Sequence, residues 1–291
     1  MTSYRNGSTA GVAGRNPSPS KRGVVTGWSA GAVRRHTKWL YSVDTDRLDG
    51  EGFAFTLTMR DTPSSADEFH ALRRAFVMRL DRMGATRIHW VIEWQRRGTP
   101  HIHAAVYFRD PHPDLPDGWN STEFRAGLVI SAWVAVVARY GANLNAQAWA
   151  SIDGPLGWLQ YLSKHAARGV RHYQRSGHPE GWSRTGRLWG HLGDWPVDLP
   201  ARYDLSREAF WRYRRLVRAW RIADARSRRL SPKPGAPDRG DVVRLARRML
   251  ASNNPKLSAV RGVSDWLPES VTLAFLALLI SEGFEISERV E

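Results

Sequence analysis

Hydrophobic and polar positions change period several times along this chain, and each change marks an element. Val33–Tyr41 mixes Arg34, Arg35, His36 and Lys38 with Trp39, Leu40 and Tyr41 and predicts a short helix. Phe53-Ala-Phe-Thr-Leu-Thr-Met59 alternates and predicts a strand. From Ala66 to Arg82 the apolar residues Phe69, Leu72, Ala75, Phe76 and Leu80 recur at helical spacing, and Gly84 stops the run. Thr86–Trp94 and His101–Phe108 predict a second and a third strand, joined by the turn residues Arg97-Gly98-Thr99-Pro100. After a Pro-rich loop, Pro111–Gly118, Ser121 is placed to cap a helix running to about Tyr140, with Gly141 as its C-cap. Leu144–Ser151 predicts a fourth strand and Gly154–Arg168 a helix.

The resulting order is β-α-β-β-α-β. That is an α+β arrangement of the split βαβ, or ferredoxin-like, kind, with an antiparallel sheet and a C-terminal helical extension. Its first and third strands lie in the middle of the sheet. The strand carrying His101 and His103 is then flanked by the strand with Glu93 and the strand with Thr56 and Thr58. Expected boundaries are a flexible basic N-terminal tail and lead-in helix over 1–45, a catalytic core over 46–195 and an Arg-rich helix over 196–230. A linker over 231–240 and a small helical module over 241–291 complete the division. The Arg-rich helix has the stripe Phe210, Tyr213, Leu216, Val217 and Trp220, with Arg212, Arg215 and Arg218 largely off it.

Charge narrows the class of partner. The 291 residues hold 43 Lys and Arg against 28 Asp and Glu, a net charge of +15. Such a balance points to a polyanion, and nucleic acid is the usual one. The only lysines are Lys21, Lys38, Lys164, Lys233 and Lys256, so the charge is almost all arginine. Cysteine is absent, which excludes disulfides and thiolate metal sites and fits a cytoplasmic location. No apolar run approaches the roughly 20 residues of a membrane span. The N-terminus has no apolar signal region, and no phosphate-binding G-x-x-x-x-G-K-[ST] loop occurs.

Candidate chemistry gathers on the hairpin. In His101-Ile102-His103 the two imidazoles are at i and i+2, so they point to one side of a strand. Glu93, just before the turn, folds back beside them. Two histidines and a carboxylate are a plausible set for a divalent cation that keeps positions open for substrate. A His-x-His pair by itself equally describes a solvated strand face. Tyr161 and Lys164 share a face of the helix after the fourth strand. A phenol, with an ordinary pKa of about 10, is a poor nucleophile without a cation beside it. Over Gly169–Gly193, Arg171, Arg175, Arg184 and Arg187 interleave with Tyr173, Trp182 and Trp189 and form a candidate surface for gripping a DNA strand.

These motifs, in this order, resemble those of rolling-circle replication initiators of plasmids and phages, in the HUH endonuclease superfamily. Phe53-Ala-Phe-Thr-Leu-Thr58 resembles the first motif. Pro100-His-Ile-His-Ala-Ala-Val-Tyr107 resembles the metal-binding second, and Tyr161-Leu-Ser-Lys164 the third. Gly186-Arg-Leu-Trp-Gly190 is similar to a segment that follows the third motif. The resemblance covers roughly residues 50 to 190. It implies Mg²⁺ or Mn²⁺ held by His101, His103 and Glu93, with Lys164 assisting Tyr161. Tyr161 would attack single-stranded or extruded origin DNA, leaving a 5′-phosphotyrosine and a free 3′-OH. A host polymerase and helicase, and a dimer on the DNA, follow from the same resemblance. Relaxases and single-tyrosine transposases share the chemistry, and a plasmid or phage DNA-binding protein without catalysis is the reading from another class.

Overall fold

The computed structural model describes residues 1–12, 23–109, 121–167, 172–230, 237–248 and 260–289, with the side chains of 163–167 excepted. In chain order the elements begin with β1 (Thr2–Tyr4), β2 (Gly7–Ala10), α1 (Ala30–Ser42), β3 (Glu51–Leu57), α2 (Ala66–Arg82), β4 (Ala85–Trp94) and β5 (Pro100–Phe108). Next come α3 (Thr122–Val136), β6 (Ala148–Ser151), α4 (Pro155–Ala167), β7 (Trp189–Gly193) and β8 (Ala201–Leu205). The last are α5 (Arg207–Ser227), α6 (Arg239–Arg248), β9 (Val263–Trp266), α7 (Glu269–Ser281) and β10 (Ile286–Glu288). The architecture is α+β, with two antiparallel five-stranded sheets, and the chain divides into two units.

One unit comprises Arg22–Leu40 and Thr45–Pro196. Its strands run in the order β6-β3-β5-β4-β7, so β5 lies between β3 and β4. Strand alternation sorts the side chains by face. Phe53, Phe55 and Leu57 of β3 and Ile102, Ala104 and Val106 of β5 are buried on one face. Phe69, Phe76 and Leu80 of α2 and Val129 and Trp133 of α3 are buried too, and Phe76 meets Trp133 edge to face at 5.3 Å. Ser121 caps α3 as expected, its Oγ accepting from Phe124 N–H, and Ser65 Oγ likewise caps α2 by accepting from Glu68 N–H. The opposite face carries Thr56, His89, Glu93, His101 and His103, which the register pairs across β3, β5 and β4. Every residue of β5 is buried, so both faces of the sheet are covered. β7, read from the sequence as part of an Arg-rich loop, instead adds an edge strand beside β4. Only the second half of the predicted fourth strand is β6, because Leu144–Ala146 closes a 3₁₀ turn capped by Asn143.

The other unit comprises Met1–Lys21, Tyr41–Asp44 and Val197–Glu291, around the sheet β10-β8-β1-β2-β9. Its core gathers Ala10, Phe210, Tyr213, Val217, Val263, Leu267 and Leu279. Two expectations are corrected here. The first ten residues are not a tail: β1 and β2 form a hairpin with a strand paired on either side. Their sequence lacks an apolar run because the hairpin is held by backbone pairing and by contacts distant in sequence. Ser8 Oγ lies 2.5 Å from Tyr213 Oη, and Gly7 lies so close under the Tyr41 ring that a Cβ would come within 2.3 Å of it. Likewise 241–291 is not a separate helical module, since Val263–Trp266 and Ile286–Glu288 are strands of this sheet. Arg221 of α5 and Asp265 of β9 pair at 2.5 Å.

On the same face as the site, farther along β4, His36 Nε2 and His89 Nε2 are 3.0 Å apart and both rings are fully buried. Trp39 stacks between His89 at 4.7 Å and His191 at 4.4 Å. Burial holds His36 well below the ordinary histidine range and His89 at about 3. An unfolded chain takes up these protons near pH 6.5, whereas the folded one resists them. Stability is therefore full above about pH 6.5 and falls as pH drops toward about 3. Each histidine contributes a slope of about 1.4 kcal/mol per pH unit. Denaturant titrations from pH 7.5 to 4.5 should show a shallower slope for His89→Gln than for the natural chain. Parallel slopes would remove this pair from the acid response.

Candidate metal and tyrosine site

The hairpin β4–β5 builds the site by register. Its turn closes with Gln95 N–H donating to Thr99 O at 2.9 Å, and Gly98 takes a φ of +88° that a side chain would strain. With the ends so fixed, Glu93 stands directly opposite His101, and Val91 opposite His103. On the other side of β5, Thr56 stands opposite His103. One potential ligand atom from each of Glu93, His101 and His103 lies within 4.8 Å of the other two, and all three residues are buried. His101 Nε2 is 3.0 Å from His103 Nε2, and His103 Nε2 is 3.7 Å from Glu93 Oε2.

Three further residues fix the cluster. Thr56 Oγ1 lies 3.1 Å from His103 Nδ1. With that nitrogen engaged, Nε2 is the one turned toward His101 and Glu93. Arg175 Nε donates to Glu93 Oε1 at 2.8 Å, and its guanidinium carbon lies 4.3 Å over the Trp28 ring. Trp28 Nε1 in turn donates to Ile92 O at 2.9 Å, which fastens that ring to β4.

Tyr161 stands on α4, 41% exposed, with its ring 6.2 Å from that of His103 and edge-on to it. Trp158 stacks on it at 5.5 Å. Both line a cleft of about 380 Å³, together with Thr56 and the edge strand residues Trp149 and Ser151. The tyrosine hydroxyl thus belongs to an open cleft whose wall includes Thr56, the residue that steadies His103.

Residues 52–147 match the family model of the ORF2 type of replication-associated protein. The chain is 40% identical over 292 residues to a replication-associated protein of Pseudomonas phage Pf3, covering 98% of each chain. It is 46% identical over 300 residues to a protein of Xylella fastidiosa (strain 9a5c) named for replication, covering 99% of this chain and 98% of that one. A second relative so named, from strain Temecula1, is 46% identical over 279 residues, or 91% of this chain and 98% of that one. The chain belongs to the replication-associated protein family. No solved structure matches it.

The donor set fits a divalent cation. Two buried imidazole nitrogens aimed at each other across 3.0 Å need a proton or a cation between them. Two ligands each about 2.1 Å from one ion, at right angles, are about 3.0 Å apart. Glu93 could supply a third donor through Oε2, because Arg175 holds Oε1. Two imidazoles and one carboxylate, without sulfur, are a mixed nitrogen and oxygen donor set compatible with a divalent first-row cation.

The expected strand-gripping set is not one surface. Arg175 is corrected outright: it is only 1% exposed and ion-paired to Glu93, so it positions that carboxylate and cannot meet a phosphate at the surface. Trp189 is half-buried on β7 against His36 at 4.8 Å. Arg184 is exposed and pairs with Asp67 at 2.6 Å, and Arg187 is exposed. Arg171 and the side chain of Lys164 lie outside the described residues. The roles of Arg175 and Trp28 were missed because each lies more than 60 residues from Glu93, with no local pattern to tie them to it.

Removing one partner of a buried ion pair strands the other charge. Arg175→Met should therefore cost about 3–5 kcal/mol of stability, measured by denaturant unfolding at neutral pH. Arg175→Met combined with Glu93→Gln should recover a large part of that loss. Equal loss in the single and double variants would show that the stranded carboxylate is not its source.

Proposed function

We propose that this protein initiates rolling-circle replication by nicking single-stranded or extruded origin DNA through Tyr161. The observation that carries the reading is the convergence, beside one cleft, of the Glu93–His101–His103 cluster and the exposed tyrosine. Membership of the replication-associated family supports it, and the relatives' names supply the replication context. When Mg²⁺ or Mn²⁺ is bound, it polarises the scissile phosphate and offsets the charge that develops on it.

The chain's own residues do the rest. His101, His103 and Glu93 Oε2 are the ligands. Thr56 orients His103, and Arg175 orients Glu93. Tyr161 Oη attacks phosphorus, the bond to the 3′ oxygen breaks, and that oxygen leaves as a 3′-OH. The product is a 5′-phosphotyrosine on Tyr161. Lys164, one helical turn on, stabilises the phenolate. A host polymerase extends the 3′-OH and a host helicase opens the duplex, with a dimer on the DNA and the cytoplasm as the setting. Tyr161 acts alone on its helix: the position four residues on is His165, and Tyr173 lies beyond the end of α4.

His101→Ala/His103→Ala should abolish nicking of an origin oligonucleotide in Mn²⁺ while leaving salt-sensitive DNA binding largely intact, since binding rests on many phosphate contacts. Full cleavage by this variant, or in excess EDTA, sinks the assignment. Glu93→Gln should raise the Mn²⁺ concentration needed for half-maximal nicking, and an unchanged titration removes Glu93 from the ligand set.

Mass spectrometry of trapped peptide–oligonucleotide adducts checks the nucleophile. Tyr161→Phe should give no adduct and Tyr173→Phe the normal one. An adduct on Tyr173, or one surviving in Tyr161→Phe, overturns the single-tyrosine mechanism.

A further inference from the structure

A second cleft, of about 320 Å³, lies in the unit that contains Val197–Glu291. It is lined by Trp211, Arg214, Arg215 and Arg218 of α5 and by Arg247 of α6. Spacings of three and four residues align Trp211, Arg214, Arg215 and Arg218 along one side of α5. Four guanidiniums around one small cleft repel one another.

Direct ion pairs hold other arginines of α5 and α6, whereas those lining the cleft make none among the described residues. Arg212 pairs with Glu282, Arg221 with Asp265, Arg228 with Asp224 and Arg244 with Asp241. Among the described residues, none of Arg214, Arg215, Arg218 and Arg247 makes an ion pair. Arg214 Nε is moreover enclosed with no acceptor among those residues. Glu282, which Arg212 holds, also feels the charge of Arg215. With four guanidiniums and no direct ion pair among the described residues, the cluster still keeps an excess of positive charge suited to an anion from outside the chain.

We propose that this cleft binds the phosphodiester backbone of duplex DNA. Guanidinium forks match phosphate oxygens two at a time. Single-stranded binding sites add open aromatic faces on which bases stack. Here the one aromatic ring in the cleft, Trp211, carries the Arg214 guanidinium 5.3 Å over its centre. The cleft therefore offers charge without a stacking platform, as a duplex backbone requires. This proposal does not depend on the metal and tyrosine chemistry.

The test uses the full chain and fluorescence anisotropy, with a labelled duplex and a labelled single strand of equal length. Arg215→Gln/Arg218→Gln/Arg247→Gln alters three exposed side chains. If each meets one phosphate, the slope of log K against log salt for the duplex should become shallower by roughly 2 to 3, and Arg247→Gln alone should account for about 0.9 of that. A control triple, Arg207→Gln/Arg226→Gln/Arg229→Gln, removes the same charge from exposed positions outside the cleft and should leave the slope near its original value.

His101→Ala/His103→Ala should keep the full slope whether or not those histidines hold a metal, which separates this proposal from the nicking mechanism. Equal losses in the two triples would mean diffuse attraction and overturn the site. A loss confined to the single strand would overturn the duplex assignment. Inorganic phosphate that displaces the duplex far better than chloride at matched ionic strength would make this a small-anion site and overturn it as well.

Discussion

Everything at the candidate site depends on the pairing register of β4 and β5. Side chains alternate faces along a strand, so a slip of one residue would turn His101 and His103 away from Glu93 and toward the side packed by α2 and α3. The register is held from both ends. At the turn, Gln95, Gly98 and Thr99 close the hairpin, and Thr99 Oγ1 is tied to Thr62 Oγ1 at 2.8 Å. Along the strands, Ile102 and Val106 meet the core of Phe53, Phe55 and Leu57, and a one-residue slip would take them off that face. The same core that stabilises the sheet thus aims the three polar side chains.

A cluster of charge inside a sheet covered on both faces has to be compensated. Arg175 does this for Glu93, and Trp28 flanks the guanidinium with an aromatic face. The arrangement leaves one carboxylate oxygen bound to protein and the other turned toward the histidines. The buried Glu93 carboxylate thus has a guanidinium partner within the chain itself. Tyr161 experiences the opposite environment, in an open cleft. The enclosed Glu93–His101–His103 cluster beside an exposed tyrosine is the arrangement on which the proposed phosphoryl transfer rests.

The other unit imposes a different constraint. Its central hairpin comes from residues 2–10 and its neighbouring strands from 201–205 and 263–266, so pairing spans most of the chain. Contacts of such separation carry the full entropy of closing a long loop and form late. The core of α5 and α7 supplies the apolar burial that the short polar strands lack.

The sequence by itself determined what local periodicity and spacing encode. The order of β3, α2, β4, β5, α3 and α4 was legible in the period of the hydrophobic positions and in the caps at Ser121 and Gly141. His-x-His and the turn before it were enough to bring Glu93 beside the two histidines, because a hairpin register is a local property. Residues such as Arg175, whose meaning is a partner 82 positions away, were read as surface arginines. Only the tertiary structure decided that one lies buried against Glu93 while others stay exposed, and that the polar residues at the start of the chain are strands. Composition records that a charge is present. Whether it faces water, a carboxylate or an empty cleft is settled by packing between segments that no window along the chain contains together.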